Sequence, residues 1–180
     1  GFDWAIHKGD PIAADTDLTK RVFPNGDQAQ AFILRDRFDS VEGLSGWKFD
    51  DVLIGGQIPG LQNPWFDGRL TQAGINRIVG LQAVVGGTAD ADPNAVVFGF
   101  NNINGSSESE IVLGGDGSDI MYGNLGDDII DGDAWLNVRL AGLRNDGSSF
   151  SVDSLSDIAA ELVAGQINPG QMWAVREILY

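Results

Sequence analysis

Along the middle of the chain the apolar residues recur every nine positions, neither every two as in a half-buried strand nor every 3.6 as in a helix. GGDGSDIMY (114–122) and GNLGDDIID (123–131) each open on glycine. Each carries an acid at position six (Asp119, Asp128) and a large apolar residue at position eight (Met121, Ile130). GDAWLNVRL (132–140) continues with Asn137 at position six but has Arg139 at position eight, so the pattern fails there. GSSESEIVL (105–113) fits the same frame with Glu110 and Val112. GWKFDDVLI (46–54) repeats it far upstream with Asp51 and Leu53, followed by Gly55 and Gly56 and preceded by a weaker half-repeat, SVEGLSG (40–46), with Leu44.

The remaining segments read differently. QIPGLQNPWFDG (57–68) is a proline- and glycine-rich loop. LTQAGINRIVGLQAVV (70–85) has helical spacing interrupted by Gly74 and Gly80, GGTADADPN (86–94) is a turn-rich loop, and AVVFGF (95–100) predicts a buried strand. SVDSLSDIAAELVAG (151–165) predicts a short amphipathic helix capped by Asp153 or Ser154 and stopped by Gly165. NPGQMWAVREILY (168–180) predicts another, capped by Asn168, with Met172, Val175, Ile178 and Leu179 as its buried stripe. In the first forty residues a PNGD turn (24–27) leads into QAFIL (30–34), a predicted strand, and AADTDLTK with Asp15 and Asp17 reads as the start of a helix.

A nonamer has a definite geometry. Its first six residues hold the glycines, which permit tight turns and let backbone carbonyls converge. Its last three form a short strand whose middle side chain points to one face. Two nonamers make one coil of a parallel β-roll, and the position-eight residues stack as its filling. That filling is thin: each short strand buries about 2–3 kcal/mol of side chain, against about 10 kcal/mol of backbone entropy for nine residues. Stacked position-six carboxylates add repulsion, so a bridging cation is required. Calcium accepts six to eight oxygens, carboxylate and carbonyl mixed, in flexible geometry. Transition metals favour His or Cys, and the chain has one His and no Cys.

The predicted metal ligands are Asp119, Asp128, Asp51, Glu110 and Asp133, with the backbone at Gly115, Gly117, Asn124 and Gly126; Asp116, Asp127 and Asp131 read as solvated or supporting. Counting parity places the turns opening at Gly46, Gly105 and Gly123 on one side and those at Gly55, Gly114 and Gly132 on the other. Asp51 is then expected to face Glu110, Glu110 to face Asp128, and Asp119 to pair with the 132–137 turn.

Composition sharpens this picture. With 26 acidic and 11 basic residues the formal net charge is −15, which opposes nucleic-acid binding and docking on anionic lipid. Disulfides, thiol catalysis and cysteine-ligated zinc are excluded for want of cysteine. No run approaches the ~18 apolar residues of a membrane span, and the chain reads as a piece of something longer.

GGDGSDIMY, GNLGDDIID and the upstream VEGLSGWKFDDVLIGG resemble the haemolysin-type calcium-binding repeat of RTX proteins. In the upstream copy Phe49 stands where the turn glycine is usual. The series GLSGWKFDD, LTQAGINRIVGL, GGDGSDI, GDDIIDGDAWLNVRL and INPGQMWAVREI is similar to the calcium-binding region of large secreted bacterial proteins that also carry an animal-type haem peroxidase domain. The resemblance implies extracellular location, export by a type I system and folding in external calcium, with the peroxidase chemistry elsewhere in the parent protein.

The expected fold is therefore mainly β with flanking helices: a split parallel β-roll with an inserted loop/helix segment and C-terminal capping helices. One RTX-type domain spans 1–180, comprising an N-terminal strand/turn segment (1–39), a first repeat half (40–56), an insertion (57–104), a second repeat half (105–140) and a helical cap (151–180). Its expected role is a non-catalytic calcium-binding structural module, with calcium ions and other domains of a parent chain as partners. The alternatives are a ligand- or protein-interaction module binding a glycan or peptide on a calcium-stabilised scaffold, or an accessory part of a haem peroxidase. His7 reads as a surface residue, Asp10-Pro11 and Asp92-Pro93 as turns rather than the calcium-triggered cleavage sites of some RTX proteins, and Trp47, Trp65 and Trp135 as packing residues.

Overall fold

The computed structural model describes residues 2–20, 38, 41–56, 68–98 and 109–180. The predicted PNGD turn, the QAFIL strand and Trp65 lie outside them. The chain is mainly β, with few and short helices.

Two all-parallel sheets carry the nonamer strands. The first aligns β1 (Trp4–Ile6), β3 (Gly43–Ser45), β7 (Ile111–Leu113) and β9 (Ile129–Asp131); the second aligns β2 (Asp15–Asp17), β4 (Val52–Ile54) and β8 (Ile120–Tyr122). Parallel sheets of this kind are compatible with an RTX β-roll. The registers keep the repeat frame, since Leu44 lies beside Val112, Val112 beside Ile130, and Leu53 beside Met121. These position-eight residues point between the sheets, where Leu44, Leu53 and Val112 pack with Ala14 and Leu18 and are fully buried or nearly so.

The first sheet is buried on both faces. Ile111, Leu113 and Ile129 on its outer side meet Ile75, Ile78 and Leu81 of the insertion together with Leu136 and Ile178 from the C-terminal strands. The outer side of the second sheet is left open, with Ile120 52% and Tyr122 54% exposed. The first sheet also has one strand more than the second, so Ile130 on its last strand has no strand opposite and is 47% exposed.

The insertion is more broken than its periodicity predicts. It forms β5 (Leu70–Thr71), α1 (Gln72–Ile75), α2 (Leu81–Val85) and β6 (Val96–Phe98), the last antiparallel to β5 and only partly buried. Gly80, at φ +86 and pressed against Ile178, separates the two helices.

Four expectations are corrected. The N-terminal segment supplies β1 and β2, one more turn of strands on the two sheets; Asp15 and Asp17 therefore stand in a strand and open no helix. Thr16 between them fills the buried position-eight place. Residues 132–140 do not make a third nonamer: Trp135–Arg144 is one long strand, β10, antiparallel to β11 (Ser149–Val152) and to β12 (Ile167–Leu179). Trp135 and Arg139 occupy the places where the repeat needs a turn glycine and an inward apolar residue. Residues 168–180 are accordingly strand, not helix, because β10 offers them a full ladder of backbone partners. Asn168 does accept a bond from Gly170 N (2.9 Å), yet it closes a bulge in β12 and caps no helix. The 151–165 helix is present but small. Ser154 forms a capping box with Asp157, a 3-10 turn (Leu155–Ile158) leads into α3 (Ala159–Val163), and Gly165 ends it at φ +67. Finally the parity of the upstream half is reversed relative to the downstream half, while Gly114 and Gly132 lie on one side as expected. The strand before Gly46 pairs with the strand before Gly114, so Gly46 and Gly114 open turns on one side and Gly55 and Gly123 on the other.

Leu53→Ala should cost about 3 kcal/mol in urea unfolding, because the emptied place lies between two sheets that cannot close over it. Ile130→Ala, at the uncovered end, should cost less than about 1 kcal/mol.

Candidate metal centre

Each nonamer turn solves the same local problem: how to stack a carboxylate on the turn before it. Asp51 Oδ1 accepts from Ala14 N (2.6 Å), Asp119 Oδ1 from Asp51 N (2.8 Å) and Asp128 Oδ1 from Glu110 N (2.9 Å). Every donor is the position-six amide of the neighbouring coil. The other carboxylate oxygen folds back over the glycine that opens its own turn. A Cβ on Gly46, Gly114 or Gly123 would overlap Oδ2 of Asp51, Asp119 or Asp128 respectively. In the first turn Asp51 Oδ2 also accepts from Trp47 N (3.0 Å).

On the first side, turn 46–51 lies against turn 114–119. Asp116 N donates to the Trp47 carbonyl (2.8 Å) and Ser118 N to Asp50 Oδ1 (2.8 Å). Gly115 (φ +94) and Gly117 (φ +130) stand so close to the Trp47 and Phe49 carbonyls that a Cβ on either would overlap the oxygen. Neither position has room for a side chain. On the second side, Asn124 (φ 70) and Gly126 (φ 132) turn the chain toward Asp128, and Asn124 Nδ2 donates to the Gly55 carbonyl (2.8 Å). Glu110 is fully buried there, and its longer side chain reaches to 3.2 Å from the Cβ place of Gly55.

The predicted ligands thus gather as two groups. Asp51 and Asp119 meet with Gly115 and Gly117; Glu110 and Asp128 meet with Asn124 and Gly126. The expected contact between Glu110 and Asp128 is present, whereas Asp51 stacks on Asp119 and not on Glu110, as the reversed parity requires. Asp133 joins neither group: it is exposed, and its amide donates to Asp131 Oδ1 (3.1 Å). Asn137 sits in β10, accepting from Lys8 Nζ (2.6 Å) and donating to Glu177 (2.8 Å).

Two position-six acids were missed. Glu42 Oε2 accepts from Asp3 N (2.8 Å), the same step one coil earlier on the second side. Counting nine back from Asp51 finds Glu42 directly; Asp3 has no such glycine-marked frame in front of it.

Among the described residues no three His, Asp or Glu side chains come together as a metal cage. An ion at these turns must therefore draw on two carboxylates and on carbonyls, a donor set of hard oxygens that suits calcium. The electrostatics agree. Burial holds the Asp119 carboxyl above its ordinary value of 3.8, and the neighbouring charges of Asp51 and Asp50 push the same way, partly offset by the bond from the Asp51 amide.

Other candidate residues have structural partners. His7 bridges Asp10 Oδ2 (2.9 Å) and Thr16 Oγ1 (2.7 Å). Asp92 accepts from Asn94 N (2.9 Å), a turn beside Pro93. Trp47 lies under Lys48 Nζ at 3.9 Å, and Trp135 pairs with Leu179 in the C-terminal sheet. No helix among the described residues is long and apolar enough to cross a membrane.

No curated protein and no solved structure matches the chain. A family model does match: residues 104–134 fit the RTX calcium-binding nonapeptide repeat in four copies. Those repeats bind calcium as a non-catalytic structural element and are typical of secreted proteins. The matched segment holds Glu110, Asp119 and Asp128, the acids that stack in the turns.

Proposed function

We propose that the chain is a calcium-dependent folding module of a larger secreted protein. Its core is a split parallel β-roll in which the 40–56 half stacks on the 105–131 half and 57–104 is inserted between them. Asp51, Asp119, Gly115 and Gly117 would hold an ion on one side, and Glu110, Asp128, Asn124 and Gly126 another on the opposite side. Calcium supplies positive charge to acidic turns that are stacked too closely to be stable alone. The observation that carries this reading is the repeated step in which a position-six carboxylate bonds the preceding coil, while Gly115 and Gly117 face its carbonyls with no room for a side chain and Asn124 turns left-handed on the other side.

At low calcium inside a cell the stacked carboxylates repel, and the chain stays loose. In millimolar calcium outside, binding energy becomes folding energy, because no site exists in the unfolded chain. Export by a type I system and a parent protein bearing a peroxidase domain are supported by the sequence resemblance described above. Any peroxidase chemistry then belongs to other parts of that parent.

Titrating the exhaustively chelated chain with calcium should produce a large gain of β signal in circular dichroism and a higher melting temperature, with magnesium far less effective. An unchanged spectrum and melting curve after chelation and re-addition would refute the proposal. Asp119→Asn should weaken calcium binding about tenfold or more, the scale of one charge-assisted contact, in calorimetry. Gly115→Ala should lower the melting temperature of the calcium-loaded protein, since its Cβ must displace the Trp47 carbonyl from the site.

A pH dependence follows with a definite sign. The folded Asp119 carboxyl titrates above 3.8, so the metal-free fold takes up a proton more readily than the unfolded chain. Metal-free stability should fall as pH rises from 3.8 through the raised value. Calcium needs that proton gone, so its apparent affinity should rise over the same interval. Asp119→Asn should flatten both trends.

A further inference from the structure

On the far side of the first sheet from the repeat turns lies a cavity of about 880 Å³. Three distant parts of the chain bound it: β1, the start of the insertion and the C-terminal strands β10 and β12. Its floor is apolar, with Leu70, Ile78 and Leu136 buried in the main core. Two aromatic rings form one wall. Trp4 packs against Gly43, where a Cβ would overlap the indole, and Phe2 packs tilted against Trp4 at 5.6 Å and edge-on to Phe98 at 6.2 Å.

The charges around this cavity run against the rest of the protein. Arg69, Arg77 and Arg176 line it, with Asp3 as the only carboxylate on its wall among the described residues. Arginine thus outnumbers carboxylate on the described wall, in a chain of formal net charge −15. Elsewhere among the described residues the cations are engaged: Lys8 and Arg139 with Asp153, Lys20 with Asp17, Arg144 with Glu161, and Lys48 over Trp47. The Arg77 and Arg176 side chains make no hydrogen bond or ion pair among the described residues.

Their convergence has a backbone cause. Val79 N donates to the Arg176 carbonyl (3.0 Å) and Ile178 N to the Val79 carbonyl (2.8 Å), which locks the insertion onto β12. The lock carries Arg77 to the same opening as Arg176. A planar guanidinium is suited to two-point bonding of an oxyanion. A cavity of this size with an apolar floor and a few convergent polar groups has the character of a small-molecule site.

We propose that this cavity binds a small organic anion with an aromatic or similarly flat apolar body. Arg77 and Arg176 hold its oxyanion head, and the body lies on Phe2, Trp4 and the Leu136 floor. The site is separate from the acidic turns, so it is a second binding function and not a part of the calcium reading.

The test uses the whole 180-residue chain in excess calcium, with 1-naphthoate as probe and neutral 1-naphthamide as its uncharged counterpart, in calorimetry. Saturable binding of naphthoate is expected, with naphthamide about tenfold weaker or more. Arg77→Gln and Arg176→Gln should each weaken naphthoate about fivefold or more, with unchanged melting temperature and calcium stoichiometry. Arg139→Gln, which alters a cation away from the cavity, should leave naphthoate binding unchanged. The proposal is overturned if naphthoate shows no saturable binding up to ~10 mM, if naphthamide binds equally well, or if the two cavity variants bind like the parent chain. Unaltered melting and calcium binding in those variants separates loss of this site from loss of the fold.

Discussion

The structure depends on burying negative charge where the coils stack. Each nonamer turn places a carboxylate against the turn before it and gives one oxygen to a backbone amide of that neighbour. Those bonds fix the spacing of the coils and thereby the register of both parallel sheets. They do not neutralise the charge. A buried carboxylate near other carboxylates is costly unless a cation or several donors offset it, and here the donors are one or two neutral amides. The glycines belong to the same constraint, because stacking at this distance leaves no space for side chains beside the facing carbonyls. Acidity and glycine content are two sides of one packing requirement.

Around that stack, the two sheets have unequal surroundings. The first is enclosed: its inner face fills the space between the sheets, and its outer face carries the insertion and the C-terminal strands. The second keeps an open outer face with Ile120 and Tyr122 in solvent. The insertion is thus more than a decoration on a loop. It covers the sheet that would otherwise present two apolar faces, and by bonding to β12 it ties the C-terminal sheet to the repeats.

Much of the repeat region was legible because its signal is a fixed spacing. Glycine at position one, acid at position six and an apolar residue at position eight identified Asp51, Glu110, Asp119 and Asp128 directly. The parity error came from treating 46–54 as the partner of 105–113. Leu44, in the weaker half-repeat, sets the true frame by pairing with Val112. The first two strands were illegible because Trp4–Ile6 and Asp15–Asp17 lack the glycines that mark the later copies. Ala14 stands at the acidic place and Thr16 at the apolar one. The C-terminal strand was misread for another reason: Met172, Val175, Ile178 and Leu179 suit a helical stripe, and only β10 as a long antiparallel neighbour decides for strand. Such ambiguity is inherent in a short apolar pattern, since pairing over a distance is absent from local sequence. The charged cavity was invisible for the same cause, its residues being drawn from three distant segments.

The pairing of Asp51 with Asp119, 68 residues apart in the chain, also sets an order of events. A solenoid whose coils follow one another can wind up from one end as it is made. Here β3 and β4 pair upstream with β1 and β2, but their next neighbours, β7 and β8, lie beyond the intervening segment, which must close first; that carries an entropic penalty and slows assembly. For a polypeptide that emerges from one end, whichever half appears first therefore waits for the other before the full stack can close.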